Sequence, residues 1–132
     1  MAIPAEIRAR LEDPERTVVA VVGASNDPRK YGCIILRDLE AKGFQVVPVN
    51  PNQSEVCGHR SYPDIASIPG EVHIADFVVP PEVAIEVVRD LPPGRVESLW
   101  FQPGSFDPSV VREARERFER VIAGPCIMVE TR

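Results

Sequence analysis

The sequence predicts an α/β domain built on a doubly wound, parallel five-stranded sheet, and three observations point to it. Continuous β-branched runs such as "TVVAVV" read as strands covered on both faces, because a half-wet strand would alternate. Apolar stripes at helical spacing follow the strands, and the strand–helix alternation recurs with short links. At 132 residues, with 44% apolar and 27% charged residues, the chain matches one globular domain with one buried core, spanning residues 1–132.

Residues 5–11 form a short helix candidate, with Ile7 and Leu11 four apart and facing the domain edge. Residues 17–22 are the first strand. Residues 32–42 read as a helix, with Ile35, Leu36 and Leu39 inward and Gly43 as its stop. "FQVVPVN" (44–50) is the second strand, and Pro48 predicts that its end leaves the ladder. Residues 51–70 are mostly loop, with room for one helical turn at 64–66. "VHIADFVV" (72–79) is the third strand. A helix over 81–91 follows, with Pro81 in its first turn and Val83, Val87, Val88 and Leu91 inward. "ESLWF" (97–101) is the fourth strand.

Asp107 then caps a helix starting at Pro108, whose inner stripe is Val110, Val111, Ala114 and Phe118. On its outer side Glu113–Arg117 and Glu116–Arg120 are spaced as helical ion pairs, a solvated face. Short apolar pieces at 121–123 and 127–129 complete the chain. The expected strand order is 3-2-1-4-5, a three-layer, Rossmann-like half with a pair of helices on each face of the sheet.

Composition excludes several functions. A net charge of −5 speaks against nucleic acid or an anionic membrane surface as the main partner. No run approaches the roughly 18 apolar residues of a membrane span. The N-terminal sequence lacks a basic-then-apolar export pattern. Cys33, Cys57 and Cys126 form an odd count without C-x-x-C spacing, so a reduced, cytoplasmic location is expected.

In such a sheet, ligands lie beyond the carboxyl ends of the strands at the topological switch point, here expected between strands one and four. That rule selects "GASNDPRKYG" (23–32), "NPNQ" (50–53), "VVPPE" (78–82) and "FQPGSF" (101–106). Gly23 permits a turn and close backbone approach. Ser25 and Asn26 add small donors, Arg29 and Lys30 are the local cations, and the helix beginning near Gly32 offers free N–H groups to an anion. The spacing is neither the dinucleotide G-x-G-x-x-G nor the P-loop pattern. A site for NAD usually places an acid after the second strand to hold the ribose hydroxyls. Here "PVNPNQ" has none, which favours a ligand with a phosphorylated ribose.

Chemistry beyond binding is sparsely encoded. There is no G-x-S-x-G elbow and no close carboxylate pair at a strand end. Cys57 and His59 flank Gly58 without further metal ligands. Cys33, His73 and Trp100 read as structural.

The motifs "VVGASNDPRKYG", "GFQVVPVNP", "YPDIASIP", "WFQPG" and "GPC", in this order from about residue 17 to 130, resemble the small CoA-binding proteins. These stand-alone domains are related to the N-terminal domain of succinyl-CoA synthetase α subunits. The resemblance implies that Gly23, Ala24, Ser25 and Asn26 cradle the CoA pyrophosphate. It further implies that Lys30 neutralises phosphate, and that Tyr31 and Gly32 shape the helix entry. Asn50 and Pro51 would flank the adenosine, with Gln53 near the ribose phosphate. Val79 and Pro80 would form an apolar wall, and Gln102 and Gly104 the pantetheine side.

Two departures stand out. Val79 occupies a position where many stand-alone members carry arginine, and "GPC" replaces a typical "DRC"; both are closer to the synthetase domain. The expected function is binding of CoA or acyl-CoA as a carrier, sensor or partner of a larger enzyme, more a binding protein than an enzyme. A homodimer is compatible with the sheet edges. The competing readings are an NAD-binding enzyme or redox sensor, and an interaction domain whose nucleotide site has decayed.

Overall fold

The computed structural model describes residues 3–132; Met1 and Ala2, which the expected single domain includes, lie outside the described residues. Helix α1 (Ala5–Leu11) and a single 3-10 turn (Pro14–Arg16) lead into strand β1 (Val18–Val22), followed by α2 (Tyr31–Ala41) and β2 (Gln45–Val49). A two-stranded hairpin, β3 (Glu55–Val56) and β4 (His59–Arg60), interrupts the long connection to β5 (Val72–Phe77). Then come α3 (Pro81–Asp90), β6 (Val96–Phe101), α4 (Pro108–Arg117), β7 (Val121–Ala123) and the short α5 (Ile127–Glu130).

The main sheet is parallel and five-stranded, in the order β2-β1-β5-β6-β7. Counting only its own strands, the order is 2-1-3-4-5, which corrects the expected 3-2-1-4-5. The difference arises after β2. The connection of residues 50–71 carries no helix, and the chain returns past β1 to pair β5 on its other side. The switch point therefore falls between β1 and β5, not between the first and fourth strands of the sheet.

Two apolar layers cover the sheet. Ile7 and Leu11 of α1, Ile35, Leu36 and Leu39 of α2, and Ile127 of α5 pack on Val19, Val21, Ile74, Trp100 and Ile122. On the opposite face Ala84 and Val88 of α3 and Val110 and Ala114 of α4 meet Ala20, Ala75, Leu99 and Phe101, while Ile65 and Ile68 fill the place a crossover helix would take. Being central, β5 is buried along its whole length. Phe77 and Phe101, paired in register, stack with ring centroids 4.5 Å apart.

Local chemistry explains most boundaries. Asp107 caps α4 as predicted, its Oδ1 accepting from Val110 N–H at 2.9 Å. Pro48 stays within β2 rather than ending it: paired with Val21, it lies on an edge strand. Its carbonyl accepts from Tyr62 N–H at 3.1 Å on the outer side, where its own nitrogen has no ladder bond to give. The inner stripe of α3 meets expectation at Val88 and Leu91 but not at Val83 and Val87. Ala84, Val88 and Leu91 are buried, whereas Val83 is 43% exposed and Val87 half-buried. The expected ion pairs along α4 give way to links between elements. Glu113 pairs with Arg89 of α3 at 3.0 Å, Arg117 donates to the Arg89 carbonyl, and Arg120 pairs with Glu6.

Candidate functional site

The loop after β1 is shaped by two glycines that tolerate no side chain. Gly23 has φ +97°, and a β-carbon there would stand 2.6 Å from the Val78 carbonyl oxygen and 2.7 Å from Val79 Cγ1. It must therefore be glycine both for its backbone and for the approach of the segment after β5. Gly32 lies in the first turn of α2, and a β-carbon on it would stand 2.1 Å from the Gly23 carbonyl oxygen. The N-terminus of α2 thus rests directly on the loop that leaves β1.

That helix end is open. Lys30 occupies the N-cap position in an extended conformation, no side chain caps the helix, and its first turn holds no acid. Unpaired N–H groups and the positive end of the helix dipole are therefore available to an anion. The two neighbouring cations differ. Arg29 is held by Asp27 at 3.1 Å, an interaction that lowers the carboxyl's pKa, while the exposed Lys30 has no ion-pair partner among the described residues. Lys30 is the cation left for a ligand.

The small polar residues of the loop mostly hold the loop itself. Ser25 Oγ accepts from Asp27 N–H at 3.0 Å. Asn26 clasps the hairpin: its Nδ2 donates to the Glu55 carbonyl and its Oδ1 accepts from Cys57 N–H, both at 2.9 Å. Asn50 ties the ends of β1 and β2 together, donating to the Ala24 carbonyl at 2.9 Å and accepting from Asn52 N–H at 2.8 Å. These side chains fix the backbone N–H groups in place.

Two cavities meet at this edge of the sheet, sharing Gly23, Asn50 and Val79. The smaller, about 470 Å³, mixes polar and apolar surface; Ala24, Ser25, Lys30, Tyr31, Gly32, Pro80 and Gly104 line it. The larger, about 680 Å³, is mainly apolar, and Pro51, Pro63, Ile65, Val83, Val87 and Leu91 contribute to its walls. A groove with a cationic, N–H-rich half and an apolar half suits an amphipathic phosphorylated ligand.

Most predicted site residues converge here. Gly23, Ala24, Ser25, Lys30, Tyr31, Gly32, Asn50, Pro51, Val79, Pro80 and Gly104 line one cavity or both, whereas Asn26, Gln53 and Gln102 line neither. Gln53 is exposed beyond the rim. Gln102 is only 4% exposed and is saturated from behind, donating to Cys126 Sγ at 3.2 Å and accepting from Ile127 N–H at 3.0 Å. Sequence reasoning missed Pro63, Ile65 and the outward turn of Val83. The signal was there in "YPDIASIP" and in Val83, but the latter was assigned to the core.

Elsewhere, His73 Nδ1 accepts from Val18 N–H at 2.9 Å and acts structurally. Trp100 is fully buried, with its indole N–H on the Pro125 carbonyl. Cys33 is buried. Among the described residues no cluster of histidine, cysteine and carboxylates could hold a metal, and no helix is long and apolar enough to cross a membrane.

The sheet order and the groove at its switch point define an α/β domain of the Rossmann type. Sequence comparison narrows this. Residues 17–132 match the CoA binding domain, and the chain belongs to that family. It is 48% identical over 104 residues to the α subunit of an ADP-forming acetate–CoA ligase II from Pyrococcus furiosus, covering 78% of this chain but 23% of the relative. A conserved hypothetical protein of P. furiosus superimposes with TM-score 0.79 at 41% identity, over 87% of this chain and 99% of that one. An acetyl-coenzyme A synthetase of Ca. Korarchaeum cryptofilum, solved in complex with phosphate and ADP, gives TM-score 0.67 at 30% identity, over 83% and 26% of the respective chains. The chain spans less than a quarter of the length of the curated acetate–CoA ligases it matches.

Proposed function

We propose that the chain binds CoA or acyl-CoA in this groove and acts as a carrier, a sensor or the CoA-holding partner of a larger enzyme, in the cytoplasm. The observation that carries the reading is the uncapped start of α2, seated on Gly23 through Gly32, with Lys30 unpaired beside it. That arrangement receives a pyrophosphate through backbone N–H groups. The apolar cavity beside Val79, Ile65 and Val83 would take the adenine, and the turn at Gly104 would border the pantetheine. After β2, "NPNQ" carries no carboxylate that would repel a ribose phosphate. The groove is lined by neither histidine nor cysteine, which favours binding over catalysis. The kinship with ligase subunits supports a larger enzyme as the partner.

Calorimetric titration with CoA, dephospho-CoA and NAD tests this. CoA is expected to bind more tightly than dephospho-CoA, and Lys30→Ala to weaken CoA about tenfold, the loss of one charge-assisted phosphate contact. Tighter binding of NAD, or no heat with any of the three, would overturn the reading. The second outcome would favour a site decayed at Val79, and Val79→Arg would then be expected to restore affinity.

A further inference from the structure

Cys33 and Cys57 lie 24 positions apart in the chain, yet their sulfur atoms are 3.4 Å apart. Two features bring them together. Cys33 sits in the first turn of α2, buried among the residues that seat that helix on the sheet. Cys57 occupies the two-residue turn of the β3–β4 hairpin, where it and Gly58 have φ of +50° and +81°. Such turns take Gly, Asn or Asp almost by default, and a cysteine with left-handed backbone geometry is an uncommon occupant. Cys57 is half-buried, whereas Cys33 is buried, and that burial pushes the Cys33 thiol up. Arg37 lies one turn along α2 from Cys33, beside the pair.

We propose that Cys33 and Cys57 are a dithiol that hydrogen peroxide oxidises to a disulfide, and that closing it displaces the Ser25–Asn26 loop. The Cys57 sulfur attacks a peroxide oxygen; the O–O bond breaks, the departing hydroxide takes the Cys57 proton and leaves as water, and a sulfenic acid forms on Cys57. The Cys33 sulfur then attacks the Cys57 sulfur, the S–O bond breaks, and the departing hydroxide takes the Cys33 proton. In sum, two thiols and one peroxide give a disulfide and two waters.

Reaching the roughly 2.05 Å of a disulfide requires the sulfurs to close by more than an ångström. The first turn of α2 is closely seated, since Gly32 packs on Gly23 with no room for even a β-carbon between them. The hairpin turn is the part that moves. It is tied to the loop through the two Asn26 hydrogen bonds and the contact of Cys57 Sγ with the Ser25 carbonyl at 3.6 Å. Oxidation is therefore felt where the anion is received.

The oxidation itself does not depend on the identity of the ligand; only an effect on affinity would rest on the CoA reading. The test accordingly reads the chain without ligand. The reduced protein and its Cys126→Ser, Cys57→Ser and Cys33→Ser variants are exposed to hydrogen peroxide, then examined by peptide mapping and amide exchange. A Cys33–Cys57 linked peptide in the wild type and in Cys126→Ser is expected, lost in the other two variants. Exchange at residues 25–27 is expected to change on oxidation and to return on reduction. Linkage through Cys126, over-oxidation of Cys57 without linkage, or a disulfide that leaves exchange at residues 25–27 unchanged would each overturn the proposal. Absence of CoA binding in both redox states would instead overturn the proposed ligand and leave the dithiol standing.

Discussion

Asp76 is the penultimate residue of β5, in register with Val21 on one side and Trp100 on the other, and no solvent reaches it. Neither carboxylate oxygen has a hydrogen-bond partner, and burial pushes its pKa well above the usual carboxylate range. The folded chain therefore holds a proton that the unfolded chain releases near pH 3.9. As far as this group is concerned, stability is greatest below that pH and falls as pH rises toward the folded-state value, at about 1.4 kcal/mol per pH unit. Asp76→Asn should remove the slope. Denaturant unfolding from pH 4 upward is expected to show the variant gaining on the wild type as pH rises; a constant difference would contradict this. Asp76 sits inside "VHIADFVV", and nothing in the strand's apolar pattern marked it as a dry, unpaired acid, because pairing depends on what surrounds it in space. The same limit applies to Asn26 and Asn50. Their residue type announced polar work near an anion loop, but only the fold shows that they spend their hydrogen bonds on Glu55, Cys57, Ala24 and Asn52.

Among the elements, α2 bears on both proposals, because its uncapped first turn borders the groove and carries Cys33. Its docking hinges on Gly32. In a Gly32→Ala variant the new β-carbon would overlap the Gly23 carbonyl, so the helix must back away from the loop. A cost of about 1–3 kcal/mol is typical of such overpacking. Melting should register it, and CoA affinity is expected to fall more than tenfold as the N–H groups leave their positions. Wild-type affinity together with wild-type melting would show that the helix end is not where the ligand sits. The span of α2 was legible from the Ile35, Leu36 and Leu39 stripe, and the start of α4 from Asp107 and Pro108. The β3–β4 hairpin was not, because its turn uses Cys57 in place of the glycine or asparagine that would have signalled it. On α3, Val88 and Leu91 were legible as inward, but Val83 was not legible as a cavity wall: it and Ala84 are neighbouring apolar residues, and Ala84 is the one that faces the sheet.

For the whole molecule, the parallel sheet and its two covering layers followed from the strand–helix alternation. The strand order did not. Residues 50–71 carry no helix, so periodicity could not say on which side of β1 the chain would return, and pairing is settled by Ile65 and Ile68 packing over the sheet. The switch point moved to β1 and β5, yet "GASNDPRKYG" and "VVPPE" remained at it, which is why the site survived an error in topology. The central claim is that the groove at this switch point receives CoA, led by the open end of α2. Amide NMR shifts on titration with CoA test it most directly. The largest changes are expected at Gly23, Ser25, Gly32, Asn50 and Val79. Changes that instead cluster at the opposite edge of the sheet, around the cavity bordered by Gly70, His73 and Gly94, would contradict it.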